Sequence, residues 1–349
     1  MCDGVRRVRP GLMPVLVITA LLLGGTIAAR CSGREPLAAS RDWTKSPAIV
    51  DLQTTSTIVA VGDVHGDYKR LVHLLKRVEL VPEAADQPAD IEWAGGTTVL
   101  ICTGDLIDKG DRSLDVISCF RTLQGKAAAA GGRVIVTMGN HEAEFLADPD
   151  DDDKAEQFVA ELEQAEIKPE KVAAGTDKLG IGQFLAGLPL AVKVNDWFFA
   201  HAGSTQGLTL ATLDGEIKDS VKAEGFDTHV LLGKRGLLEA RLKPLPWWER
   251  EGDTAAESQA RLRGYATALG VKHLVMGHQP GKATFSDGTT REAGEMTQKF
   301  DGLIFFIDVG MSKAINKSKG AALKIEQHGD RESATAVHAE DRQDLLWSK

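Results

Sequence analysis

The sequence predicts an α/β fold, and three observations predict it. Short apolar runs of strand length alternate with longer stretches of helical pattern, Gly, Asn and Asp punctuate the junctions, and the first three runs each lead into Gly followed by a polar residue. Side chains placed where strands emerge are where an open α/β sheet carries its site. In chain order, strands are expected at residues 57–61, 97–102, 133–138, 190–194, 197–201, 273–276 and 303–308. Asn195 and Asp196 separate LAVKV from WFFAH, a two-residue connection that favours a hairpin and makes the sheet mixed. Between the third and fourth runs lies an insertion, residues 147–188, with a helix expected at 154–164 and Asp153 with Glu156 as its capping box. The acidic run 150–153 reads as the solvated start of that helix, where carboxylates suit the dipole, because a calcium loop spaces its oxygens around a Gly. A second insertion, residues 207–268, reads as helical around the aromatic segment LPWWERE, and both insertions are expected to form a cap. Beyond His328 the chain is too polar to assign.

Upstream of this domain, expected at residues 48–349, Arg6, Arg7 and Arg9 precede an uncharged run from Gly11 to Ala29 centred on the apolar stretch 14–23. Basic, apolar and small residues in that order read as an export signal over residues 1–29, cut after Ala28 or Ala29. The alternative is an uncleaved anchor, since about 20 apolar residues span a bilayer. A lipid on Cys31 would fit the closing residues, but Arg30 spoils that pattern. A linker, residues 30–47, follows, and the expected location is periplasmic or extracellular.

A chain of 349 residues with 43% apolar content buries a full core. Lys plus Arg total 41 against 50 for Asp plus Glu, a net charge of −9, which argues against nucleic acid as a partner held by a diffuse basic face. Cys102 and Cys119 fall in apolar patterns and read as buried free thiols.

Five motifs occur in order: GDVHG from Gly62, GDLIDKG from Gly104, GNHE from Gly139, HAG from His201 and GHQP from Gly277. One His at a strand end is ordinarily a hydrogen-bonded structural residue. Five motifs in series, each offering Asp, Asn or His, point to metal chemistry. Asp63, His65, Asp105, Asn140, His201 and His278 supply oxygen and imidazole donors without a thiolate, which suits Mn, Fe, Zn or Co. Six donors exceed one closed tetrahedral site, whereas two ions about 3.5–4 Å apart use them all and leave room for substrate. Such a pair lowers the pKa of bound water towards about 7, so a metal-bridged hydroxide attacks phosphorus without a protein nucleophile. His141, next to Asn140, is in position to protonate the leaving alkoxide, and Asp108 to hold that imidazole charged.

These motifs resemble the calcineurin-like metallophosphoesterases, whose signature is GDxHG, GDxxDxG, GNHE and two later histidines, from about Thr57 to Gly310. GDLIDKG and GNHE look like the phosphoprotein phosphatase branch, and the whole pattern is most similar to the bacterial Shewanella-like phosphatases. The resemblance implies two packed mixed β-sheets flanked by helices. It implies one metal on Asp63, His65 and Asp105, and a second on Asp105, Asn140, His201 and His278. Pro280 stands where many diesterases of the superfamily carry a further His, which implies a monoesterase. The family usually follows its second Asp with a phosphate-binding Arg, and Lys109 stands there, delivering charge without the bidentate fork. Arg112 is one expected replacement. Arg250 is another, because LPWWERE resembles a Trp-Tyr-Arg segment of the Shewanella-like group, and Asn140 joins them as a phosphate contact. The segment IDVGMS around Asp308 reads as structural.

The expected activity is therefore hydrolysis of phosphate monoesters, on phosphorylated serine, threonine or tyrosine in protein or on a small phosphomonoester. A nucleotide or diadenosine tetraphosphate hydrolase of the same superfamily is the alternative, with Trp247 and Trp248 as a stacking surface for a base. A non-catalytic metal-binding or docking protein is a third reading, against which every candidate ligand, His141 and Asp108 are present.

Overall fold

The computed structural model describes Ala38, residues 41–150 and residues 152–349. The expected export segment and the lipid-anchor cysteine lie outside the described residues, as does the Asp153 side chain on which the expected capping box depends. No helix among the described residues is long and apolar enough to cross a membrane.

In chain order the strands are β1 (Ile49–Leu52), β2 (Ile58–Val61), β3 (Val99–Cys102), β4 (Arg133–Val136), β5 (Ala191–Val194), β6 (Trp197–Ala200), β7 (His273–Met276), β8 (Ala283–Thr284), β9 (Thr290–Arg291), β10 (Thr297–Lys299), β11 (Ile304–Phe306), β12 (Ala321–His328), β13 (Arg331–His338) and β14 (Gln343–Ser348). They form two six-stranded sheets, β1-β5-β6-β7-β11-β10 and β14-β13-β12-β2-β3-β4, and a small β8-β9 ribbon. Strands β2, β3 and β4 run parallel, as do β6, β7 and β11, while β12 joins β2 antiparallel. The expected hairpin forms, with Val194 opposite Trp197.

The central strands of both sheets are buried on two faces. In β2, Ile58 and Ala60 face a core shared with Val192, Phe199, Val275 and Phe305 of the other sheet, while Val59 and Val61 face the helices. Alternate residues of one strand therefore serve two cores, which is why these strands read as continuous apolar runs. The helices are α1 (Tyr68–Arg77), α2 (Ser113–Ala129), α3 (Asn140–Ala147), α4 (Asp152–Gln164), α5 (Pro169–Ala173), α6 (Ile181–Ala186), α7 (Leu210–Glu224), α8 (His229–Leu232) and α9 (Ala255–Leu269).

Each expected strand forms, with β4, β6 and β11 ending before the expected last residues, β2, β3, β5 and β11 starting one or two residues later, and β7 unchanged. The unassigned tail supplies β13, which buries Ala334, Ala336 and Val337, and β14, which buries Trp347. Helix α4 breaks at Ala155 (φ −150°), so it is regular only beyond that residue. Cys102 and Cys119 are buried and free.

Candidate metal centre

The loops that leave β2, β3, β4, β6 and β7 converge. They bring Asp63 and His65, Asp105, Asn140 at the start of α3, His201 and His278 into one buried cluster. Donor atoms of His65, Asp105 and His141 lie within 4.8 Å of one another, as do those of Asp105, His201 and His278, so Asp105 belongs to both groups. Its Oδ2 lies 3.4 Å from His65 Nε2 and its Oδ1 3.4 Å from His201 Nε2. The His278 N–H donates to both oxygens of Asp63 at 3.0 Å.

The backbone bends to make this possible. His65, Asp105, Asp108, Lys109 and His278 all have positive φ, between 45° and 69°, a region uncommon for residues other than glycine and concentrated at functional sites. Glu142 holds the central loop: its Oε1 accepts from the N–H groups of Leu106 (2.7 Å) and Ile107 (3.2 Å), and its Oε2 from Gly139 (2.7 Å) and Asp105 (3.0 Å). Two motif glycines are close-approach positions. A Cβ on Gly277 would stand 2.5 Å from Asp63 Oδ1, and one on Gly139 would overlap Asp105 Oδ1.

The donor set fits cations on its own chemistry. His201 Nδ1 lies 2.9 Å from the Thr103 carbonyl and donates to it, which leaves the Nε2 lone pair facing Asn140 Oδ1 at 2.9 Å. Asn140 is oriented by its Nδ2, which donates to Glu144 at 3.4 Å. Two acceptors in contact need a proton or a metal ion between them, and burial pushes His201 down to about 3, which disfavours the proton. His65 repeats the arrangement: Nδ1 donates to the Ile107 carbonyl at 3.2 Å and burial lowers the ring to about 3. Tying one ring nitrogen to a backbone carbonyl is how metal-bound histidines are oriented. His278 Nε2 is buried with no hydrogen-bond partner. Burial raises Asp105 to about 8 and, with Asp308 and Asp105 adjacent, lifts Asp63 well above the ordinary carboxylate range.

His141 stands at the edge of the cluster with Nδ1 3.2 Å from Asp108 Oδ2. Burial works against its charged form, but Asp105 and Asp108 more than offset that and raise it to about 9. Asp108 also receives Lys109 Nζ at 3.0 Å and the Gln157 N–H at 3.0 Å, the latter from the regular part of α4. Burial opposes its ionisation, yet His141 and Lys109 hold it well below the usual carboxylate range.

Two expected phosphate contacts make no contact with the donor cluster among the described residues. Arg112 Nε donates to Asp115 Oδ2 at 2.5 Å, and its guanidinium lies over the Tyr68 ring at 4.5 Å, because α2 begins beside it and turns it away. Arg250 is exposed on the turn before α9, where its N–H donates to Asp253 at 2.7 Å. Among the described residues, no hydrogen bond or ion pair joins either arginine to the six donors. Arg241, a basic residue the sequence did not single out, lies near the histidines of the cluster. It pairs with Glu239 Oε1 at 2.5 Å, Glu239 Oε2 lies 3.8 Å from His278 Nε2, and the Arg241 charge adds to the depression of His201 and His278. Asp308, read as structural, is buried with Oδ2 unpartnered, and its charge raises Asp63.

A cluster of this donor set at the strand ends of two packed mixed sheets defines a metal-dependent phosphoesterase. The chain belongs to the calcineurin-like phosphoesterase family, whose model matches residues 56–282. It is 25% identical over 295 residues to Shewanella-like protein phosphatase 1 of Plasmodium berghei, covering 80% of this chain and 74% of the relative. It is 37% identical over 87 residues to a symmetrical bis(5'-nucleosyl)-tetraphosphatase of Salmonella arizonae, covering 25% and 24%. The crystal structure of a cold-active protein-tyrosine phosphatase of a psychrophilic Shewanella superposes with a TM-score of 0.64 at 23% identity, over 86% of this chain and 82% of that one, and so shares the fold.

Proposed function

We propose that this protein hydrolyses phosphate monoesters on phosphorylated protein side chains. The carrying observation is the contact between His201 Nε2 and Asn140 Oδ1, two acceptors at 2.9 Å that call for a cation. Asp63, His65 and Asp105 would hold one ion, and Asp105, Asn140, His201 and His278 the other. When bound, divalent cations such as Mn, Fe or Zn supply the Lewis acidity that makes water a nucleophile towards phosphorus at neutral pH.

The remaining work belongs to the chain. His141, charged beside Asp108, delivers a proton from its ring to the leaving alkoxide, and Asp108 keeps the imidazole oriented between turnovers. Lys109 and Arg241 neutralise the phosphate oxygens from opposite elements, and Arg241 restores the planar fork that Lys109 lacks. Glu142 keeps the Asp105 loop from relaxing. The relative covered over most of its length is a protein phosphatase by name, and Pro280 in the last motif supports a monoester.

The 87-residue similarity favours one second reading, hydrolysis of dinucleoside polyphosphates. It lacks a base platform in Trp247 and Trp248, which are 5% and 0% exposed; the first stacks on Tyr265 and the second on Phe306. The test is to load the protein with Mn, Fe or Zn and compare an aryl phosphate, a phosphopeptide and a dinucleoside polyphosphate. Phosphopeptide turnover ahead of the dinucleotide is expected, and absence of aryl phosphate turnover with every metal contradicts the reading. We also propose that the chain acts outside the cytoplasm, on the basic-then-apolar order of its first residues. N-terminal sequencing of the exported form should start near Arg30 or Cys31, and a start at Met1 refutes cleavage.

A further inference from the structure

We propose that a hollow of about 640 Å³ beside the metal cluster binds the acidic flank of a phosphorylated peptide. This rests on the phosphatase reading above and names the substrate class of that site. The hollow is built on the irregular loop 233–249 between α8 and α9, and that loop is tied to both histidine motifs. Leu237 O accepts from the N–H groups of Ala202 (3.1 Å) and Gly203 (3.0 Å), just after His201. Gln279, just after His278, accepts from the Leu242 N–H at 2.7 Å and donates to Ala240 O at 3.1 Å. Groups on the loop therefore stand at a fixed spacing from His201 and His278.

The charge of the loop is opposite to that of the chain. In a protein of net charge −9, the segment KRGLLEARLK (234–243) carries four cations and one carboxylate. That carboxylate, Glu239, is taken by Arg241. Among the described residues no ion pair joins Lys234, Arg235 or Lys243 to a carboxylate, and the side chains of Lys234 and Lys243 are exposed. Two further carboxylates line the hollow: Glu144, engaged by the Asn140 amide at 3.4 Å, and Glu249, which is 6% exposed and accepts from the hydroxyls of Ser258 (3.1 Å) and Ser286 (2.9 Å). Next to the unpaired cations Leu245 is 43% exposed. A volume within the usual 300–1,000 Å³ range of ligand sites, lined by uncompensated cations and an exposed Leu, suits carboxylates interspersed with apolar side chains. A polyphosphate chain would meet the same cations, but the buried tryptophans leave its bases without a stacking surface. Peptide is therefore the favoured occupant.

The test compares two phosphopeptides that differ only in Asp-rich or Lys-rich flanks, on metal-loaded wild type and on Lys234→Glu/Lys243→Glu, with an aryl phosphate as the small substrate. The acidic peptide should have the higher kcat/KM by roughly tenfold, a preference that weakens with added salt because each rim contact is individually modest. The double variant should abolish that preference and leave the aryl phosphate rate unchanged. Equal kcat/KM for both peptides, or a preference that survives the double substitution, overturns the proposal, as does a dinucleoside polyphosphate turned over faster than either peptide. Fluorescence anisotropy of the labelled acidic phosphopeptide separates the two readings. If no substrate is turned over the phosphatase reading fails, while tighter binding to wild type than to the double variant still supports the groove and equal binding removes it.

Discussion

Asp108 gathers three donors, His141, Lys109 and the Gln157 N–H, and so positions both the proposed proton donor and one proposed phosphate cation from a single carboxylate. His141→Asn should lose about 10²–10⁴-fold in kcat, with metal content unchanged by elemental analysis, since Asn140 and Asp105 remain. Loss of metal with loss of rate would instead make His141 a ligand. Arg241→Ala should raise KM for phosphomonoesters by about tenfold, the scale of one charge-assisted hydrogen bond, while Arg112→Ala should leave KM unchanged; steady-state kinetics decide. At this scale the donors were legible because metal chemistry needs particular residue types, and types are what a sequence displays. Lys109, standing where the family usually carries an Arg, pointed to a second basic residue for the proposed phosphate contact. Arg241 was not legible, because a cation on an irregular loop has no period or spacing to mark it.

Between residue and fold stand the short loops, whose left-handed residues are held by hydrogen bonds rather than by glycine. Glu142→Gln would turn an amide N–H₂ towards two of the four backbone N–H groups that now donate to the carboxylate, either Leu106 and Ile107 or Asp105 and Gly139. It should destabilise the protein by roughly 3 kcal/mol and weaken metal binding by about 10–100-fold, the usual range for groups that brace ligands. Denaturant melts and metal titration measure the two effects, and wild-type values in both would show that the loop holds itself. The strands were readable as apolar runs because burial on both faces removes alternation. Their outlying partners were not: β13 hides its core face in Ala334 and Ala336, which carry little hydropathy signal. The positive φ angles at His65, Asp105 and His278 had no sequence mark, since those residues look the same in any conformation.

The whole molecule presses two sheets together and turns a set of carboxylates and imidazoles into one buried cluster, and that has a thermodynamic consequence. In metal-free protein, burial raises Asp105 to about 8 and Asp63 well above its ordinary value, so the folded state retains protons that unfolded carboxyls release near pH 4. That contribution is complete below about pH 4 and is lost as pH rises through about 8. Buried His65, His201 and His278 act in the opposite sense, but only below about pH 6.5, where unfolded imidazole charges. Between pH 7 and 9 the Tm of metal-free protein should therefore fall, and excess Mn should cancel the fall; a flat profile without metal contradicts this. The most direct test of the central claim is to titrate metal-free protein with Mn while following aryl phosphate hydrolysis and bound metal together. Turnover that climbs to a plateau at two equivalents per chain is the predicted result, and a plateau at one equivalent, or turnover indifferent to metal, would contradict it.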